Sequence, residues 1–398
     1  MYIMKNFITL PMILFVISYA LVCQFQVSLG ENNSQELYQL LIGKSSLESY
    51  YSNFLAYGQE INTLNFTKGS GIEENMCGVL ADSQDNRVYL TSVDGIFHIL
   101  DAETNHEVNK TKTEFGSCAI TFDSKDDQYF VINEFSNSTY IIDGSNYTTI
   151  NRLEIKQPYE MVVNTNNDLL YITSDKNDQV FVVEKSGLVK KVIDITDPCG
   201  IAIDNLQNKI YVTSEDSAKV YVIDGLTNDV VATIGVDKGP RGIAVNEQNG
   251  KVYIANSLSN TVSVIDSKSN SVESTILVDQ DPRKVALNSN ANTLYLIGGK
   301  SNSLTFIDAS SNKIKNSITI QNPHDISVNP DTNTIYVTTL SNSIFVIEDI
   351  DESINIMNDS FFILIFSVTI IIGIAIIVLL VQKKAHLRKG SSSYSLKT

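Results

Sequence analysis

The sequence predicts an all-β chain. It reads as a seven-bladed β-propeller of four-stranded antiparallel blades, with an N-terminal signal peptide and a single C-terminal transmembrane helix. Three observations predict it. An aromatic anchor that opens a short β-like run recurs about every 41 residues, at Tyr89, Phe130, Tyr171, Tyr211, Tyr253, Tyr295 and Tyr336. Each interval holds four short runs rich in β-branched and aromatic residues, separated by Asn, Asp, Ser and Gly. A long apolar segment stands at each end of the chain. A period of this size with several strands per unit is the signature of a propeller, and seven anchors imply seven blades.

Residues 1–30 open with Lys5, an apolar run over 7–22 and a small-x-small triplet at Ser28-Leu29-Gly30. That pattern predicts a secretory signal peptide. Residues 31–60 carry Leu37, Leu40, Leu41, Leu47, Phe54 and Leu55 at partly helical spacing and are read as a helical cap. The propeller is assigned to residues 61–349. Its first segment, Ile61-Asn62-Thr63-Leu64-Asn65-Phe66, alternates like a strand. The last repeat has no clean fourth strand after Glu348, so residues 61–66 are expected to supply it and clasp the ring. A strand over 353–357 is the alternative. Such a clasp removes an open sheet edge.

The repeats themselves are regular. One unit reads Pro198-Cys199-Gly200-Ile201-Ala202-Ile203-Asp204, then Lys209-Ile210-Tyr211-Val212-Thr213-Ser214, then Val220-Tyr221-Val222-Ile223-Asp224, then Val230-Val231-Ala232-Thr233-Ile234. Every third run ends in an acid: Asp101, Asp143, Glu184, Asp224, Asp266, Asp308 and Glu348. Followed by Ser, Thr, Asn or Gly, these acids are expected to accept turn amides rather than to catalyse.

After the propeller come a linker over 350–360, an uncharged apolar run over 361–381 and a tail over 382–398. The run is long enough for one helix across a bilayer. Lys383, Lys384, Arg388 and Lys389 follow it, whereas Asp349, Asp351, Glu352 and Asp359 precede it. The positive flank stays in the cytoplasm. The expected topology is a single-pass plasma-membrane protein with an extracellular propeller and a cytoplasmic C-terminus.

The phrases Tyr211-Val212-Thr213-Ser214, Tyr253-Ile254-Ala255-Asn256 and Tyr336-Val337-Thr338-Thr339 resemble the YVTN-type propeller repeats. The resemblance covers roughly residues 76–348. It implies the propeller fold and a place among archaeal or bacterial surface proteins. It does not imply an activity, because propellers host many.

Export agrees with six Asn-x-Ser/Thr triplets, at Asn32, Asn65, Asn109, Asn137, Asn146 and Asn358, which are candidate glycosylation sites. Residues 31–360 hold 23 Lys and Arg against 45 acids, a net charge of −22. That excludes nucleic acid as an expected partner and leaves a protein or a surface glycan.

One repeat position varies while its surroundings do not. Twelve residues before each anchor stand Cys77, Cys118, Tyr159, Cys199, Arg241, Arg283 and His324. This position begins the innermost strand, so the seven side chains are expected to ring one mouth of the central channel as a ligand-binding site. Cys77, Cys118, Cys199 and His324 are the metal candidates, since thiolate and imidazole suit copper(I) or zinc. Arg241 and Arg283 suit an anion. Three readings of the cysteines stand side by side: strand packing, a disulfide, and metal ligation. No other cofactor is indicated.

The chain has only four histidines and no nucleophile elbow, zinc-protease helix or phosphate loop. The expectation is therefore a non-catalytic surface module for binding or adhesion, with no catalytic residues. Two alternatives remain: an extracytoplasmic metal or redox propeller, and a propeller enzyme of the lactonase or lyase kind.

Overall fold

The computed structural model describes residues Ile61–Asn65 as backbone, 76–340, and 343–349. The expected signal peptide, helical cap, linker, transmembrane helix and tail lie outside the described residues, as do Asn32 and Asn358. Among the described residues no helix is long and apolar enough to cross a membrane.

The described residues form twenty-eight strands in seven four-stranded antiparallel sheets. Six blades are continuous in sequence, for example Pro198–Asp204, Lys209–Ser214, Lys219–Asp224 and Val230–Gly235. The seventh is completed from the other end of the chain. Ile61–Asn65 pairs with Ser343–Glu348 in antiparallel register, Ile61 opposite Ile347 and Asn65 opposite Ser343. The predicted clasp is present, with the predicted partner strand.

Burial follows position within the blade. In the second strand five residues in a row are buried in Lys209–Ser214, because its neighbours cover both faces. The outermost strand, Val230–Gly235, is mostly exposed. The core is thus a set of layers between adjacent blades. One layer joins Tyr171, Val180 and Val182 to Ile201, Ile210 and Val212. Another crosses the ring closure, from Tyr336, Ile344 and Val346 to Met76, Val79 and Leu90. All seven aromatic anchors are buried in these layers.

The abundant Asn and Asp serve the turns. Asn86, Asn208, Asn228, Asn270, Asn292 and Asn333, among others, hold φ between 49° and 59°. This left-handed region is costly for most side chains, and Asn tolerates it best after Gly. The acids at the third-strand ends accept turn amides as expected: Asp224 Oδ1 from Leu226 and Thr227, and Asp308 Oδ1 from Ser310 and Ser311. Asn109, Asn137 and Asn146 are exposed.

Candidate functional site: the mouth of the channel

Six of the seven varying ring residues sit at a break in the innermost strand; Tyr159 instead lies just before the strand Met161–Asn164. Pairing with the second strand skips register between Met76 and Val79, Ser117 and Ala119, Pro198 and Ile201, Pro240 and Ile243, Pro282 and Lys284, and Pro323 and Asp325. A bulge frees a residue from the ladder and re-aims its side chain. The threonine of the repeated Tyr-Val-Thr phrase secures the bulge. Thr213 Oγ1 accepts from Gly200 N at 2.8 Å and lies 2.8 Å from the ring carbonyl of Arg241 in the next blade. Thr173 and Thr338 repeat the arrangement toward the carbonyls of Cys199 and Cys77.

The next position along the strand sets the width of the break. It is Gly78, Gly200 or Gly242 where two residues leave the ladder, and Ala119, Lys284 or Asp325 where only one does. At the glycines a Cβ would run into the neighbouring blade: 2.9 Å from Cys118 O at Gly78 and 2.5 Å from Arg283 O at Gly242. Glycine is required there by close approach of two backbones.

The same position carries three charges that the sequence reading did not single out: Glu160, Lys284 and Asp325. Asp325 Oδ2 accepts from Val79 N at 3.0 Å, and Glu160 Oε2 accepts from Ile201 N at 3.3 Å. Each carboxylate thereby satisfies an amide of the following blade, next to its glycine. Lys284, in the sixth blade, forms an ion pair with Glu160, beside the third. With seven blades these two are on opposite sides of the ring, so the pair spans the channel. The available signal was a charge at a repeat position otherwise held by Gly or Ala.

Around this bridge lies a cavity of about 150 Å³. Six of the seven predicted ring residues line it: Cys118, Tyr159, Cys199, Arg241, Arg283 and His324. Cys77 does not. It is buried behind a disulfide to Cys118, with 4.7 Å between the Cα atoms. The bulged inner strands bring these two positions well inside the limit for a bridge. Of the three readings of the cysteines, this pair takes the disulfide. The four metal candidates are not gathered as one set: Cys77 and Cys118 are joined, Cys199 is a buried free thiol in the fourth blade, and His324 lies beside Cys77. The arginines have acids at hand. Arg241 Nε lies 2.8 Å from Glu215, and Arg283 reaches Asp281 through Nε and Nη2 at 2.9 and 2.8 Å.

The electrostatics separate the groups by role. Burial alone would lower Lys284, but Glu160 and Asp325 hold it above its usual value, so it stays an ammonium. Burial pushes the Cys199 thiol up to about 12. Cys199 and burial together keep the Tyr159 phenol protonated. Burial, aided by the Lys284 and Arg283 cations and opposed by Asp325, lowers His324 below its ordinary 6.5. At neutral pH the mouth therefore offers a neutral imidazole, a phenol proton and fixed cations.

A second cluster lies elsewhere. Asp123, Asp126 and Asp168 bring carboxylate oxygens within 4.8 Å of one another and could hold a metal ion. Lysines already serve them: Lys185 Nζ lies 2.5 Å from both Asp123 and Asp126, and Lys125 Nζ lies 2.8 and 2.9 Å from the oxygens of Asp168. Sequence spacing gave no hint of this group.

No family model matches the chain, and no curated protein matches it. The likeness to YVTN-type repeats therefore stands on the repeat phrases alone. Among solved structures, the fold is similar to virginiamycin B lyase from Staphylococcus aureus. The TM-score is 0.63 at 14% identity, over 74% of this chain and all of the other. At that identity the likeness shows the seven-bladed propeller and nothing finer. It does overturn one expectation. The chain was read as not an enzyme because familiar catalytic signatures are missing, yet a propeller of this architecture is an enzyme.

Proposed function

We propose that the chain is an extracytoplasmic propeller that binds a small polar substrate at the channel mouth and catalyses proton-transfer chemistry there. The observation that carries this reading is His324, an imidazole kept neutral inside a cavity that also holds Lys284, Arg283 and Tyr159. A cavity of this size takes a group about as large as a benzene ring, so one end of a substrate enters it. The reaction class that fits is elimination. His324 removes a proton next to a carbonyl, and the freed electron pair forms a double bond as the bond to the leaving group breaks. Lys284 and Arg283 meet the developing negative charge, and the Tyr159 phenol supplies a proton to the departing oxygen. The name of the structural neighbour, a lyase, is in keeping with that class. The Cys77–Cys118 disulfide supports an oxidising compartment. This accords with the export and membrane-tether signals of the sequence.

The test is turnover. Full-length protein in detergent would be incubated with lactones and β-acyloxy carbonyl compounds, and formation of the conjugated double bond followed by absorbance. The expected rate rises with pH through a value below 6.5, the ordinary histidine value, and then levels off. His324→Gln should lower it by about 10²–10⁴-fold. No turnover across the panel, or a rate that His324→Gln leaves unchanged, would overturn the reading.

A further inference from the structure

We infer that Cys77, Cys118 and His324 form a zinc site when the disulfide is reduced. The three residues come from consecutive blades across the ring closure, the first, second and seventh, and hold the same repeat position; Cys77 touches both of the others. Cys77 Sγ lies 3.8 Å from His324 Nδ1 and 3.9 Å from Nε2. Zinc–sulfur and zinc–nitrogen bonds of about 2.3 and 2.0 Å in a tetrahedron place ligand atoms about 3.6 Å apart. The Cys77–His324 spacing is already close to that. His324 Nδ1 also lies 3.2 Å from the carbonyl oxygen of Cys77. With its proton on Nδ1 donated to that carbonyl, Nε2 keeps its lone pair for a metal. A backbone carbonyl holding the opposite ring nitrogen is the usual support of a ligating histidine.

Cys118 supplies the access. It is half-buried and lines the cavity, whereas Cys77 is 2% exposed. A phosphine reductant attacks the disulfide, takes oxygen from water to become the phosphine oxide, and leaves two thiols. Zinc then binds both sulfurs and releases two protons. The sulfurs separate from bonded contact to about 3.8 Å by side-chain rotation, the spacing of two thiolates on one zinc. Two sulfurs and one nitrogen leave the fourth position open to the cavity, the arrangement of catalytic rather than structural zinc. Cys199 has no part in this site: its thiol is buried in the fourth blade, and burial holds it protonated.

Metal binding, not turnover, reads this out, so the result is separate from that of the elimination assay. Full-length protein in detergent would be reduced with a phosphine, freed of reductant without air, and titrated with cobalt(II) as a coloured stand-in for zinc. The expected result is one equivalent bound. Thiolate-to-cobalt charge transfer should be seen in the near ultraviolet, with displacement by zinc and no such band in the oxidised protein. His324→Gln, which leaves the disulfide intact, should weaken binding by about 10-fold or more. Cys118→Ser should abolish the band, and Cys199→Ser should match the parent. Absence of the band in the reduced parent overturns the proposal. So does a band that survives in Cys118→Ser, or one that needs Cys199.

Discussion

At the scale of single residues, the Lys284–Glu160 pair is the least conservative feature of an otherwise repetitive chain. Its side chains are 27% and 17% exposed, so both charges have given up most of their water. Removing Glu160 takes away the ion-pair partner of Lys284 and leaves Asp325 as the remaining nearby anion. Glu160→Gln is expected to cost about 3 kcal/mol, the lower end of the range for buried pairs. The amide oxygen can still accept from Ile201 N, which confines the loss to the ion pair. Adding Lys284→Met should restore most of it. Urea midpoints check both, and a double variant no more stable than Glu160→Gln would refute the account. Sequence spacing located Cys118, Tyr159, Cys199, Arg241, Arg283 and His324 at the mouth because they occupy one repeat position. It passed over Glu160, Lys284 and Asp325, one step along. At Lys284 and Asp325 that step follows a strand bulge, and a bulge leaves no mark in a hydrophobic pattern. Asn137, a sequon asparagine, also holds a turn position with φ of 53°.

At the scale of elements, the clasp was legible because two deficits matched: a repeat short of one strand, and an alternating segment without a repeat. Its energetic role follows from the pairing of Ile61–Asn65 with Ser343–Ile347. Without it the strand Ser343–Glu348 becomes an open edge, and open edges recruit other chains. Deletion of residues 61–65 is expected to lower the unfolding midpoint and to produce concentration-dependent self-association, visible by light scattering. A deletion variant that stays monomeric at parental stability would show that the seventh blade needs only three strands. The Tyr-Val-Thr phrase also gains a reason. Its tyrosine fills the layer between blades, and its threonine bridges the bulge to the next blade's carbonyl. Blades that carry Ile132, Ala255 or Ile297 instead of threonine show that the layer alone suffices to hold a blade in place.

At the scale of the whole molecule, stability is shared among seven similar inter-blade layers, with one covalent tie between the first two blades. The disulfide closes a loop of 41 residues. Constraint of the unfolded chain by a loop of that length is worth about 4 kcal/mol. Reduction in metal-free buffer should therefore lower the urea midpoint, with thiol titration confirming that the bond is open. An unchanged midpoint in fully reduced protein would mean that the inner strands are fixed without it. The fold class was legible because a period survives sequence divergence. The pairing of two of the cysteines was not, because it depends on how closely the bulged inner strands approach.

The composite seventh blade also constrains when the protein can become complete. Ile61–Asn65 is made early, but the strand it pairs with, Ser343–Glu348, is among the last of the propeller to be synthesised. Six blades can form in order as the chain emerges, each on its predecessor. The early segment must wait unpaired through all of them. Ring closure is then a single late event, and a chain cut short before Ser343 has no place to put its first strand. Domains fold as units during synthesis. Here the unit is the whole ring, so a truncated product is expected to stay an open stack of blades with an edge exposed.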